Sequence, residues 1–158
     1  MIKLNINHCD YELEIEPHET LADVLYQKLD LIGVRQSCGK GECGSCTVLM
    51  DGRPVLSCIM LAMQAEGKEI ETIEGIGDHN SLHPIQEAFI EEQGFQCGFC
   101  TPGVILSSKS LLEKDQKPSA ADVGEALSGH ICRCGAYPNI IKSVLKASEK
   151  IGDEHVED

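Results

Sequence analysis

Eight of the nine cysteines in this chain fall into two four-thiol patterns, Cys38-x4-Cys43-x2-Cys46-x11-Cys58 and Cys97-x2-Cys100-x31-Cys132-x1-Cys134. Three ordinary uses of cysteine compete for them: disulfides, structural zinc, and buried thiols that serve as small hydrophobes. Disulfides fit worst. The chain opens with strand-like MIKLNIN rather than a basic and apolar leader or a twin-arginine signal, which predicts a cytoplasmic, reducing location where such bonds are rare. Zinc is a closer competitor, because four cysteines with a CxxC element also hold that ion.

The glycines around the first set favour a body larger than one ion. In CGKGECGSC, Gly39, Gly41 and Gly44 alternate with ligands and with Ser45, so the backbone can wrap closely and point N–H groups at bridging sulfides. The x4, x2 spacing is also that of plant-type ferredoxins. Each set is therefore read as the ligand set of one [2Fe-2S] cluster, and two clusters in a small chain suggest a path for electrons. Cys9 has no partner left and is read as a half-buried strand residue. The same loop also matches G-x-G-x-x-G, but a helical pattern precedes it and CTVLMDGRPVLSC follows as a hairpin signal, so a dinucleotide site is rejected.

Alternation of apolar and polar residues over 2–7 and 11–16, around the polar HCD segment, predicts a first hairpin. Thr20 with Asp23 resembles a helix cap, and Leu21, Val24, Leu25 and Leu29 recur at helical spacing until Gly33. The cysteine loop, a second hairpin turning at Asp51-Gly52, and IETI at 70–73 complete a small sheet. After residues 75–78 the period changes. Helices are predicted from Ser81 and Pro84 through Ile85, Ala88, Phe89 and Ile90, with His83 at the helix start; from Thr101 and Pro102; from Ser119; and from Pro138. The predicted fold class is α+β: an N-terminal β-grasp ferredoxin-like domain over 1–76, then a four-helix-bundle cluster domain over 77–158, with a frayed acidic tail at 152–158.

On this layout Cys97 and Cys100 sit at the head of the second bundle helix, and Cys132 and Cys134 lie just before the fourth. Helix N-termini offer free N–H groups and positive potential to an anionic, thiolate-ligated cluster. With aromatic residues at 4% and no Trp, each half is expected to lean on its metal for stability as well as on its core. Asp and Glu outnumber Lys and Arg by 26 to 13, for a net charge of −13, which argues against nucleic acid and is explained by solubility. No apolar run approaches the length of a membrane span.

The strings CGKGECGSCTVLMDG, QCGFCTPG and ICRCGAY, in this order, resemble the iron-sulfur subunit of the molybdenum hydroxylase family, which includes xanthine dehydrogenases, aldehyde oxidoreductases, nicotinate dehydrogenase and carbon monoxide dehydrogenase. The resemblance runs from about Lys3 to Lys150. It implies a large partner subunit that holds a molybdopterin cofactor, and usually a third subunit that holds FAD, with this chain as the middle of the relay. It also implies that Gln96 and the ligand Cys134 approach the pterin. Many members read GN-L-CRC-TGY where this chain has Gly129-His130-Ile131-Cys132-Arg133-Cys134-Gly135-Ala136-Tyr137. The ligands persist, so the difference concerns the surroundings. A Rieske-type role for His130 is disfavoured because four cysteines already complete the set, while Arg133 is open between a tuning charge and a surface residue.

The chain has no evident nucleophile–base pair or phosphate loop, so it is read as an enzyme component without catalytic residues of its own. An aldehyde, purine or N-heterocycle would be oxidised on the partner. A free-standing two-cluster carrier and a zinc-stabilised binding module are the alternatives. A subunit should expose an apolar patch around Gln96 to Thr101.

Overall fold

The computed structural model describes residues 1–78 and 80–154, apart from the side chains of residues 153 and 154. Strand β1 (Ile2–Ile6) pairs antiparallel with β2 (Cys9–Leu13) through a turn in which Asn7 and His8 both have positive φ, 51° and 64°. That pair of left-handed residues makes the tight two-residue hairpin connection. Within the polar HCD segment His8 lies in the turn, while Cys9 and Asp10 already belong to β2, so Cys9 is the strand residue expected. Cys9 itself is exposed rather than half-buried, because β2 is an edge strand.

Helix α1 (Leu21–Asp23) runs into a π-helical turn over Val24–Lys28. Its start follows the predicted cap: the Asp23 N–H donates to Thr20 Oγ1 at 3.1 Å, and the Thr20 N–H donates to Asp23 Oδ2 at 3.2 Å. Its end comes earlier than Gly33. The wide turn closes at Leu29, and Asp30 takes the left-handed conformation (φ 54°) at which the chain leaves the helix. Gly33 is needed for packing instead, since a Cβ there would collide with Ile73.

Strands β3 (Thr47–Met50) and β4 (Arg53–Leu56) form the second hairpin across Asp51 and Gly52, both at positive φ, and β5 (Glu69–Glu71) lies between β1 and β3. The five-stranded sheet has the order β2-β1-β5-β3-β4, with β1 parallel to β5 and the other pairs antiparallel. Alternation along β3 sends Val48 to one face and Leu49 to the other. Val48 joins a core of Ile2, Leu4, Ile6, Leu21, Val24, Leu25 and Ile70, whereas Leu49 joins the core of the helical half.

That second core is assembled by α2 (Pro84–Glu91), α3 (Thr101–Lys114), α4 (Ala120–Ala126) and α5 (Tyr137–Glu154). His83 caps α2, its Nδ1 accepting from the Ile85 N–H at 3.2 Å, and Pro84 occupies the first turn where no N–H is missed. Ser119 caps α4 reciprocally with Asp122. Ile90 departs from the predicted stripe and is exposed, while its neighbour Phe89 fills the core. Helix α5 extends through Gly152 to Glu154, so those residues continue the helix rather than fray; the rest of the predicted tail, 155–158, lies outside the described residues. Helix α3 is buried along most of its length, packed on β3 and β4 on one side and on the other helices on the other. Small residues make that approach possible: Ser110 Oγ donates to Gly52 O at 2.9 Å, and Lys109 Nζ reaches Glu71 of β5 at 2.9 Å.

Candidate metal centres and the seam between them

Gly39, Gly41 and Gly44 all hold positive φ, 64°, 77° and 76°, which is what bends residues 38–46 into an open cup. The bend points backbone at sulfur. The Lys40 and Glu42 N–H groups donate to Cys38 Sγ at 3.5 and 3.3 Å, and with the Cys43 N–H they bring the Cys38 thiol down to about 6. Cys58 goes the other way: burial, then its hydrogen bond with Cys46, pushes it up to about 11. A thiol that gives up its proton readily and a neighbour that gives it up only to metal are both suited to ligation.

The second set repeats the arrangement. Cys100 is the N-cap of α3, and Cys132 and Cys134 precede α5, so both pairs sit at helix starts as their spacing predicts. The Phe99 N–H, then the Cys134 thiol, lowers Cys97. Burial and the Cys132 thiol push Cys100 up to about 12. Burial alone would raise Cys132, but the Ala136 N–H and its other partners outweigh it and hold it below the usual thiol value. Tyr137 fixes this turn: its hydroxyl accepts from the Cys132 N–H at 2.8 Å and donates to His130 O at 3.3 Å.

The thiols that shift one another's proton affinity fall two by two: Cys43 acts on Cys38, Cys46 on Cys58, Cys134 on Cys97 and Cys132 on Cys100. Among the described residues, no three His, Cys, Asp or Glu side chains gather around a single ion. Two pairs per set is the division a two-iron cluster requires, because each iron takes two protein thiolates beside its bridging sulfides. The donor set and the inward-pointing N–H groups therefore fit a [2Fe-2S] group at each site.

The two sets also meet. A cavity of about 190 Å³ is lined by Cys43 from the first set, by Cys97, Cys100 and Cys132 from the second, and by Ser45 and Ile131. Across it the Ile131 N–H donates to Cys43 O at 2.9 Å. His130, next in sequence, is buried, and its Nε2 lies 2.8 Å from Ser107 Oγ on α3. Burial pushes its pKa down to about 4, so the ring is neutral. Its position against Ser107 and Gly44 removes it from the thiol pairs. Arg35 ties the halves on another side, donating from Nη1 to Gly98 O at 2.6 Å and lying 5.5 Å over the Phe99 ring.

Gln96 and Arg133 are exposed, and Cys134 is partly exposed, at the outer edge of the second set. Phe95 and Phe99 are also exposed there, at 41% and 42%, within the region where an apolar patch was predicted. Sequence reasoning did not single out Arg35, Ser107 or Tyr137. Only Tyr137 carried a signal, its position beside the CxC pair.

Comparison with known proteins agrees with this geometry. The family described as "2Fe-2S iron-sulfur cluster binding domain" matches residues 5–91, and the one described as "[2Fe-2S] binding domain" matches residues 72–145. The chain is 41% identical to the aldehyde oxidoreductase iron-sulfur-binding subunit PaoA of Escherichia coli (strain K12), over 95% of this chain and 72% of that one. It is 42% identical to the nicotine 6-hydroxylase small subunit of Paenarthrobacter nicotinovorans, over 98% and 93% of the two chains. A chain of quinoline 2-oxidoreductase from Pseudomonas putida 86 superposes with a TM-score of 0.92 at 39% identity, covering 96% of this chain and 95% of that one. With both cluster-domain models matched and relatives at 41% and 42% identity matched over 72% and 93% of their own length, the chain belongs to the [2Fe-2S] iron-sulfur small subunits of the molybdenum hydroxylase, or xanthine dehydrogenase, family.

Proposed function

We propose that this chain relays single electrons between a molybdopterin centre on a large partner subunit and FAD, or another acceptor, on a further subunit. The observation that carries the reading is the junction of the two thiol sets, where a backbone hydrogen bond from Ile131 to Cys43 joins the loop of one to the loop of the other. Cys38, Cys43, Cys46 and Cys58 hold the first cluster, and Cys97, Cys100, Cys132 and Cys134 the second. When bound, each cluster supplies one-electron oxidation and reduction at an anionic, thiolate-ligated centre.

The chain's own residues do the rest. The Lys40 and Glu42 N–H groups neutralise negative charge on Cys38, the Phe99 N–H does so on Cys97, and burial of Cys58 and Cys100 keeps water from the inner sulfurs. Gln96 and Cys134, at the outer edge of the second set, face the pterin-bearing partner. Exposed Phe95 and Phe99 beside them give that partner an apolar surface to cover, which favours a subunit over a free carrier. The two units are a β-grasp ferredoxin-like domain over 1–76 and a helical-bundle domain over 77–158. The substrate oxidised on the partner is an aldehyde, a purine or an N-heterocycle. A cytoplasmic location, where thiols stay reduced, suits eight ligand cysteines.

Anaerobic purification of the full chain with the proteins that accompany it tests the reading. Iron and acid-labile sulfide in equal amounts, one spin per cluster in the dithionite-reduced EPR spectrum, and a co-eluting larger chain are the expected results. A colourless chain that holds zinc would refute it.

A further inference from the structure

Gly44 sits between the ligands Cys43 and Cys46, and it is closed in by the other loop. A Cβ at Gly44 would lie 2.6 Å from both His130 Nδ1 and Gly129 O. The His130 side chain is therefore seated directly against the turn of the first ligand loop, although it belongs in sequence to the second. It is 8% exposed, and its Nδ1, buried from solvent, has no hydrogen-bond partner among the described residues. A buried ring nitrogen left unpaired costs free energy unless something else at the site uses it.

The contact at the other ring nitrogen fits either tautomer, since a serine hydroxyl both donates and accepts. Ser107 Oγ lies 2.8 Å from Nε2. With that hydroxyl donating to Nε2, the proton of the neutral ring sits on Nδ1. The opposite tautomer would aim a bare lone pair at a loop whose thiolates carry negative charge, so electrostatics select the Nδ1–H form.

We propose that His130 is a positioning residue for the first cluster: clamped by Ser107, its ring braces the Gly44 turn and presents Nδ1–H to the loop that carries Cys43 and Cys46, favouring the reduced form of that cluster. This rests on reading Cys38, Cys43, Cys46 and Cys58 as its ligands. Reduction adds one negative charge to the first centre. A fixed N–H dipole directed at that loop stabilises the added charge more than the oxidised state, and so raises the potential. An Asn at this position would present an amide that is shorter but can also donate.

The test is an EPR-monitored redox titration of the full chain, with its co-purifying subunits, alongside iron and sulfide analysis and thermal unfolding. In His130→Ala with iron content retained, the reduction equilibrium of the first cluster is expected to fall about tenfold, ~59 mV for a one-electron couple. The second cluster should move far less. His130→Asn should recover part of the shift, and Ser107→Ala, which frees the ring to change tautomer, should move the first cluster in the same direction as His130→Ala. Wild-type potentials in loaded His130→Ala, or equal shifts at both clusters, would overturn the proposal. Should His130→Ala fail to load iron, His130→Asn and Ser107→Ala decide it, and wild-type potentials in both would overturn it. A wild-type chain without iron would overturn the ligand reading as well, which keeps the two failures distinguishable.

Discussion

Alanine at Gly44 meets two obstacles at once, and two other glycines separate them. At Gly52, φ is 73° and nothing lies within 4 Å of an added Cβ, so Gly52→Ala carries only the left-handed backbone cost of about 1–2 kcal/mol. Gly103 lies inside α3 without positive φ, but its Cβ would come within 2.5 Å of Gly44 O. Overpacking against a carbonyl costs about 1–3 kcal/mol, and the gain in helix propensity returns ~1 kcal/mol, leaving a net cost of about 0–2 kcal/mol. Gly44 itself has φ 76° with the Gly129 carbonyl and the His130 ring both 2.6 Å from its Cβ, so Gly44→Ala should cost about 2–5 kcal/mol. For a domain of this size that corresponds to roughly 4–20 °C in Tm, against roughly 2–8 °C for Gly52→Ala. Anaerobic thermal unfolding of the iron-loaded chain, followed by the visible absorption of the clusters, gives the comparison. A Gly44→Ala protein as stable as Gly52→Ala would show that the two ligand loops are not in contact, and the seam described above would be wrong.

Two electrostatic predictions concern stability away from the metal sites. Burial alone would lower the Lys109 pKa, but the Glu113 and Glu71 carboxylates outweigh it and hold it above the usual ammonium value. Its contribution is therefore complete below the unfolded value and is lost as pH rises through the folded one. Lys109→Met should cost about 1–3 kcal/mol at neutral pH, less than the ~3–5 kcal/mol of a fully buried pair because Glu113 is half exposed, and denaturant titration at pH 7 measures it. The Asp23 carboxyl is held below its ordinary value, first by the hydrogen bond from the Thr20 hydroxyl. Its stabilisation is present above the unfolded carboxylate range and is lost as pH falls through the folded value. Thr20→Ala should cost about 1 kcal/mol at pH 7 and should lower Tm by less at pH 3, since the carboxyl is then losing its charge in both proteins.

Features set by local geometry were legible in the sequence. Asp51-Gly52, Thr20 with Asp23, Ser119 and Pro84 each mark a turn or a helix start through residues within a few positions of one another, and all occur where the residue types place them. The bend of the first cysteine loop was legible for the same reason, since Gly39, Gly41 and Gly44 take the positive φ that a closely wrapped backbone needs. What could not be read depends on contacts across the chain. Ser107 meets His130 over 23 positions and Arg35 meets Gly98 over 63, and neither pairing leaves a periodic trace. Ile90 was misplaced because adjacent apolar residues on α2 do not say which one turns inward; Phe89 does. The end of α1 was misplaced because a π-helical turn changes the residue count per turn, so that Asp30 reached the capping position that Gly33 was expected to fill.

The helical half does more than carry the second set of thiols; it completes the first. Gly129, His130 and Ile131 lie on the loop that supplies Cys132, yet they also reach across to Gly44 and Cys43. Gly103, one turn into α3, meets the Gly44 carbonyl from the remaining side. The first loop is therefore enclosed by residues from both ligand segments of the second set, and each metal site supports the backbone of the other. Release of metal from the second set frees residues 129–134 and α3's first turn, which removes one wall of the first. It follows that cluster loading should be cooperative between the sites: Cys132→Ser or Cys100→Ser, made to empty the second, should also weaken iron retention at the first. By the same linkage Cys38→Ser, made to empty the first, should weaken iron retention at the second.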